Sequence, residues 1–515
     1  DIIVLILEGI MSFEMNNFTV VKKKRLEKSQ FNVECNIDAN AQIDKILSIC
    51  HNAQVESAEI LNGVVNFSGL LDICLLYSTP DGEIGTVSSS CPFTSKFEDQ
   101  NIQVGDKVGI KVEVGDCKVD SVSNSSVKLS CQCEQSGVLI MCRDVQNVSS
   151  GDDSICVKDD EILVNTFVGE AKETFVVESE VSIKEQIRKI LFTDSQVAIK
   201  SVESGSNFVS VGGEVITRIL YLTENDRFEA SYVTESFKEE VELEGVTRES
   251  ISDAEAVVKR NSVKCEVEEL EKGVNIKLTI PVEVKVCAYD ERSERVVKDL
   301  YSTEKVLQIS TESFDMTKTL SYDTFEAKID GSLSLDAEKP RVDKIMFVGA
   351  TNLCVTNSYL KNGEVYVEGI TKTNVVYLND ETNSLHSVLI EVPFVVSERA
   401  NVPCENAQAD VCAIIYDVDV VVKKGRDFYF DAKLKIKASF DCDVVSAVIS
   451  GVQEQESLEE KDCAIEVTFA KSGQTAWDIA KGLGVREELI YLQNPEVVFP
   501  LEKDENIIIY YQKRG

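Results

Sequence analysis

Two histidines, sixteen cysteines and 89 carboxylates are the side chains from which this 515-residue chain would have to build catalysis or hold a metal. His51 and His386 fall at non-equivalent places in two copies of a repeat described below, so neither a Ser-His-Asp arrangement nor a histidine metal cluster is expected. Cys131 and Cys133 form a C-x-C inside an alternating stretch, without the second pair or nearby histidine that would complete a zinc site. No Walker loop, no G-x-G-x-x-G between strand and helix, and no H-E-x-x-H occurs. Paired carboxylates such as Glu239-Glu240 and Glu459-Glu460 carry little information in so acidic a chain. The expectation is binding rather than turnover, with no catalytic residue, no metal and no cofactor.

The formal charge of −36 repels phosphate backbones, and nucleic-acid binding needs a basic stripe, so nucleic acid is set aside. The one basic cluster, Lys22-Lys23-Lys24-Arg25, reads as a solvated strand end. The cysteines are too sparse for a disulfide scaffold and do not recur with the repeat: Cys50, Cys74 and Cys91 become Asp194, Arg218 and Glu235 in the second copy. Free thiols in a reducing cytoplasm are expected. The opening Asp1-Ile2-Ile3-Val4-Leu5-Ile6-Leu7-Glu8 lacks a signal-peptide pattern and falls short of the roughly 20 apolar residues that span a bilayer. Met11 or Met15 is the expected initiator, and a soluble intracellular protein without a transmembrane segment is expected.

A motif recurring three times sets the organisation. Ile43-Asp44-Lys45-Ile46 is followed by Asn62-Gly63, Gly69, Tyr77 and Phe93; Ile187-Arg188-Lys189-Ile190, Gly213, Tyr221 and Phe237 repeat it 144 positions later (187 − 43, 213 − 69, 221 − 77, 237 − 93). Val342-Asp343-Lys344-Ile345, Asn362-Gly363, Gly369, Tyr377 and Phe394 form the third copy, offset by 155 to 157. Solenoid units repeat every 20 to 50 residues or so, and a period this long is a whole domain. Each copy is read as an extended segment, a short helix (Ala41 to Ile49, Glu185 to Phe192), then hairpins. Turns are placed at Asn62-Gly63, Gly205-Ser206-Asn207 and Asn362-Gly363, with Pro80-Asp81-Gly82 or Asn379-Asp380 after the shared tyrosine. Period-two alternation, as in Asn275-Ile276-Lys277-Leu278-Thr279-Ile280 and Lys433-Leu434-Lys435-Ile436-Lys437, predicts strands that turn at Ser123 to Ser126, Lys272-Gly273 and Lys424-Gly425. The fold class is mainly β: three tandem β-sandwich or open-barrel domains followed by a small β-α-α-β domain.

With their I-x-K-I, hairpin glycine and Gly…Tyr spacing, the units resemble SPOCS domains, the spore coat assembly domains of spore-forming bacteria. The expected division is a tail at 1–17, repeats at 18–150, 165–300 and 310–452, an acidic linker at 453–463, with Gln453 to Lys461 solvated, and a terminal module at 464–512.

In that module Ile465-Glu466-Val467-Thr468-Phe469 is a strand, Lys471-Ser472-Gly473-Gln474-Thr475 a turn with Thr475 as helix cap, and Trp477 to Leu483 a helix. Val485 to Gln493 is a second helix, stopped by Asn494-Pro495, and Asn506 to Tyr510 closes the sheet. Trp477 is expected in the mini-core. The segment resembles a LysM domain, which implies an N-acetylglucosamine glycan groove between Ser472, Gly473, Gln474, Thr475 and Asn494, Pro495, Glu496, Val497. Gln474 replaces the usual acidic residue, and Leu501-Glu502-Lys503-Asp504 replaces Pro-Gly-Gln. SPOCS-like units ending in LysM resemble, in their order, spore coat morphogenetic proteins at the forespore membrane. That resemblance implies a mother-cell protein at the forespore surface and coat, whose module binds the coat's basement-layer ATPase; peptidoglycan binding is the alternative. For a protein partner, Pro495, Val497, Val498 and Phe499 are the expected contact, rimmed by Gln474 and Asn494.

Overall fold

The computed structural model describes residues 12–511 except 260–261, 380, 382–383, 401, 403, 405 and 459–463. The first repeat runs β1 (Phe13–Asp38), β2 (Lys45–Leu61), β3 (Val64–Ser78), β4 (Ile84–Glu98), β5 (Lys107–Ser123) and β6 (Ser126–Gly151). The second runs β7 (Ile155–Ile183), β8 (Ile187–Ser204), β9 (Phe208–Thr223), β10 (Phe228–Glu242), β11 (Ile251–Val258), β12 (Lys264–Glu269) and β13 (Val274–Ser302). The third runs β14 (Lys305–Ser334), β15 (Val342–Lys361), β16 (Glu364–Asn379), β17 (Leu385–Arg399), β18 (Ala407–Lys423) and β19 (Asp427–Ser457). All sheets are antiparallel. In each repeat the first and last strands pair, as in β1-β6-β5, and the middle strands form a second sheet, as in β2-β3-β4. An apolar core drawn from both sheets lies in each repeat, with Phe67, Phe93, Leu75 and Leu129 in the first.

The repeated motif is explained by strand pairing. Its closing isoleucine stands opposite the shared tyrosine in all three copies: Ile46 with Tyr77, Ile190 with Tyr221, Ile345 with Tyr377. The expected helix is therefore strand, the start of β2 and β8. One residue further on the register slips, between Ile46 and Ser48, Ile190 and Phe192, and Ile345 and Phe347. Such a bulge breaks period-two alternation and so mimics helical spacing. The shared glycine has the shared phenylalanine as cross-strand partner, in the pairs Gly69–Phe93, Gly213–Phe237 and Gly369–Phe394. A Cβ on Gly69 would lie 2.1 Å from Gln54 O and 2.5 Å from the Phe93 ring. The hairpin turns fall at the expected places. Asn362 and Gly363 both have positive φ (54° and 77°), the type I′ signature, whereas the first copy puts only Gly63 there, at 81°. Asp380 lies outside the described residues.

The first and last strands of each repeat run on past the second sheet as a two-stranded ribbon, Phe13–Lys22 against Met141–Gly151 in the first. The three ribbons pack side by side. Phe18 and Val20 meet their counterparts Ile162 and Val164, and Phe314 and Met316, in one apolar cluster that Val145, Val296 and Val448 of the returning strands complete. The bulge residues Leu47, Leu191, Phe192 and Phe347 form another with Leu76, Leu220 and Val376. Equivalent residues of all three repeats share both clusters, so the repeats surround a pseudo-threefold axis.

Charges close this ring, and here the basic cluster departs from expectation. Lys22 pairs with Asp315 and Lys23 with Asp441, each at 2.7 Å; Lys24 pairs with Asp99, and Arg25 donates to Ala409 O at 2.8 Å. The side chains are drawn inward because the acidic third repeat faces them. Lys111 reaches Asp410 at 3.1 Å, and Lys437, buried, donates to Asp253 and to Ala254 O. A cavity of about 470 Å³ lies among these pairs, lined by all three repeats.

Three further differences concern the thiols and the ends. Cys35–Cys91, Cys117–Cys131 and Cys404–Cys442 are disulfide-bonded, where free thiols were expected: register sets Cys117 opposite Cys131, Cys35–Cys91 joins the two sheets of the first repeat, and Cys404–Cys442 ties the segment before β18 to β19. Ser179 and Glu235, the second-repeat counterparts of Cys35 and Cys91, share a hydrogen bond instead. Phe13 to Asn17, in the expected tail, begin β1, and Gln453 to Ser457, expected as linker, end β19 on the ribbon.

Gly69→Ala is expected to cost about 1–3 kcal/mol through overpacking against Phe93, while Gly109→Ala, which meets no atom within 4 Å, stays within about 0.5 kcal/mol by urea unfolding. At the ring junction, burial pushes the Asp253 carboxyl up but Lys437 outweighs it, so it titrates below its ordinary 3.8. That stability is present above pH 3.8 and lost as pH falls through the depressed value. Lys437→Met should cost about 3–5 kcal/mol at pH 7, and the deficit should shrink as pH falls towards the depressed value, below which Asp253 is protonated folded or unfolded.

Candidate partner-binding site

The terminal module is built from β20 (Ile465–Ala470), α1 (Ala476–Leu483), α2 (Glu487–Gln493) and β21 (Glu505–Tyr510). A capping box starts α1: Thr475 Oγ1 accepts from Asp478 N at 3.2 Å, and the Asp478 carboxylate accepts from Thr475 N at 2.9 Å. That backbone N–H, with the Thr475 hydroxyl, holds Asp478 below the usual carboxylate range. Gly484, at φ 67°, ends the helix. Ala476, Ile479, Ala480, Ile490, Ile507 and Ile509 form the mini-core.

Of the two loops named from the sequence, the first is tied by hydrogen bonds to the segment 501–504 that leads into β21. Gly473 N donates to Leu501 O at 2.7 Å, Leu501 N donates to Gln474 O at 3.0 Å, and Ser472 N donates to Asp504 Oδ1 at 2.8 Å. Gln474 accepts from Lys471 N through its own side chain. Asn494 is not a polar rim. It is 8 % exposed, donates to Ile490 O and Ile508 O at 3.0 Å each, and accepts from Ile508 N at 2.9 Å, tying the end of α2 to β21. Pro495 and Glu496 are exposed and Val497 half-buried. Phe499 packs on the mini-core with its ring 5.5 Å from Tyr491. Val498 is 73 % exposed, and Tyr491 and Leu492 at the end of α2 are exposed too.

A second apolar surface escaped the sequence reading. Ile465, Val467 and Phe469 of β20 and Ile508 and Tyr510 of β21 are all exposed. They share one face, because Ile465 pairs with Tyr510 and Val467 with Ile508. Two helices can cover only one side of a two-stranded sheet, and Ile507 and Ile509 already claim that side. The signal was present in the sequence: Ile507-Ile508-Ile509 cannot place all three isoleucines inward.

Elsewhere, Ser384 Oγ lies 3.0 Å from His386 Nε2, but the two are neighbours on one hairpin and the imidazole stacks on Tyr377. Burial, with Lys45 nearby, pushes that histidine below its ordinary value. Among the described residues no group of His, Cys, Asp and Glu is arranged to hold a metal ion, and no helix is long and apolar enough to cross a membrane.

Residues 42–122 and 186–268 match the family model for the SipL SPOCS domain. No curated protein and no solved structure matches the chain. Each matched stretch begins at the I-x-K-I strand and runs through the sheet that carries the Gly–Phe and Ile–Tyr pairs.

Asn494→Ala should lower the thermal transition of the module, followed through the emission of Trp477, by leaving buried backbone groups unsatisfied at about 1–3 kcal/mol each. Glu496→Ala, on the exposed loop, should stay within about 0.5 kcal/mol.

Proposed function

Because the chain carries SPOCS domains of the SipL type, we propose that it is a non-enzymatic scaffold of spore coat assembly. It acts at the forespore surface from the mother-cell side and captures a coat basement-layer morphogenetic protein, an ATPase, through a LysM-like terminal module. The observation that carries this reading is the module's exposed apolar surface, Val498 with Tyr491 and Leu492, and the outer face of its sheet. Hot spots of protein interfaces are apolar or aromatic groups that a partner can desolvate. Further support comes from how the repeats use their shared residues: the isoleucines, tyrosines, glycines and phenylalanines are engaged in strand pairing, so the repeats serve as framework. Multivalency follows from one body that presents three related surfaces and one distinct module.

The alternative, a grip on peptidoglycan between the loops, draws support from the β-α-α-β order of the module. Capture of purified coat ATPase by the full-length protein separates the two readings. Val498→Asp is expected to weaken capture by about 30-fold, a hot-spot loss of roughly 2 kcal/mol, with the module's thermal transition nearly unchanged. If capture survives Val498→Asp but is lost with Val467→Asp, the sheet face is the contact and the loop site is wrong. Retention on peptidoglycan that chitin oligomers compete away would replace the protein-partner reading altogether.

A further inference from the structure

The terminal module rests on the tip of the second repeat's ribbon, although the chain reaches it from the third. Trp477 Nε1 donates to Asp299 Oδ2 at 2.8 Å, and Lys481, one helical turn later on α1, donates to Asp299 Oδ1 at 2.6 Å. The Tyr301 ring meets the indole edge-on at 4.9 Å, and its hydroxyl donates to Val485 O at 2.7 Å. Lys158 lies 5.9 Å from the indole centroid, and Arg486 donates to Asp153 O at 2.5 Å in the connection between the first two repeats. Trp477 is thus buried, at 5 % exposure, between the module and a repeat more than a hundred residues upstream.

The pseudo-symmetry shows that this seat is chosen. Three ribbons of similar build end near one another, and each offers the module a tip. Asp299 pairs with Lys158 in the second ribbon. The pairs at the same register shift of the other ribbons are Glu14 with Ser150 in the first and Ser310 with Gly451 in the third. Neither places a carboxylate on the returning strand. At this returning-strand position the second ribbon has a carboxylate that takes an indole N–H and an ammonium together, with a tyrosine two positions on, where the others have Ser150 and Gly451.

We propose that Asp299 is a positioning residue that seats the terminal module on the second ribbon, so that the module is held in one orientation to the pseudo-threefold axis. The seat occupies the Trp477 face and leaves Val498 and the outer sheet face open. Resting on the reading that those faces capture a coat protein, this means the partner is held at a set angle to the ribbons. Charge-assisted hydrogen bonds are the strong ones, and a single carboxylate that receives two of them is where a substitution separates docking from folding.

In the full-length protein, Asp299→Ala should shift the emission of the sole tryptophan to the red and open it to quenching by acrylamide. Asp299→Asn, which keeps an oxygen acceptor for the indole, should restore much of the emission. Capture of soluble coat ATPase by Asp299→Ala should change by less than about twofold, because the open faces lie off the seat. Unchanged emission and quenching in Asp299→Ala would overturn the seat, whatever the capture assay returns. Capture reduced as far as by Val498→Asp would make the Trp477 face a contact surface and overturn the positioning role. Undocking as expected, with no capture by the unaltered protein, would leave the seat standing and remove the partner reading instead.

Discussion

Each repeat starts and finishes in the same antiparallel ribbon, and the rest of the architecture follows from that constraint. Because the two ends of a repeat lie side by side, Phe13 beside Gly151 and Ile155 beside Ser302, the chain leaves a repeat where it entered. Successive repeats then cannot string out end to end, since each must begin at the tip where its predecessor ended. Three ribbons gather at one place, and their apolar residues cover each other. The module, attached after Ser457, arrives at the same tip.

Closure of the ring needs more than apolar contact, because equivalent surfaces do not by themselves select an order. The charges supply the order. The first repeat contributes Lys22, Lys23, Arg25 and Lys111, and the third answers with Asp315, Asp441, Asp410 and a backbone carbonyl. Between the third and second the direction reverses in part, with Lys437 on Asp253, and Arg218 donating to the carbonyls of Val348 and Gly349. A chain with 36 excess negative charges keeps many of its cations for these junctions. Partly enclosed pairs of this kind lose much of their attraction when one member is removed, and so they specify which surfaces meet.

The sequence disclosed local pairing well and long-range meetings hardly at all. Asn362-Gly363 announced its hairpin because the positive φ values of that turn need those residues, and the spacing of Gly213 to Phe237 encoded a cross-strand pair before any strand was drawn. The helix read at Ala41 to Ile49 failed for a physical reason: a bulge after Ile46 puts neighbouring side chains on one side, as a helix does. Lys22 to Arg25 looked solvated because the partners of Lys22, Lys23 and Arg25 lie some three to four hundred residues away. Asn494 looked like a rim residue because polarity says nothing of burial, and the outer sheet face was missed although three consecutive isoleucines required one to point outward. Nothing local tells that Asp299 and Trp477 meet.

The lengths of the ribbon strands bear on how the chain is made. β1 spans 26 residues, and its partner β6 does not begin until Ser126, so at the ribosome the first strand of every repeat waits for roughly a hundred residues before it can pair. Pairings so distant in sequence are slow to form and leave edges open to neighbouring nascent chains. Lysines on an unpaired edge deter such association. Lys22, Lys23 and Lys24 stand in that waiting strand, so the edge that stays open longest carries the cations of which two later join the first repeat to the third.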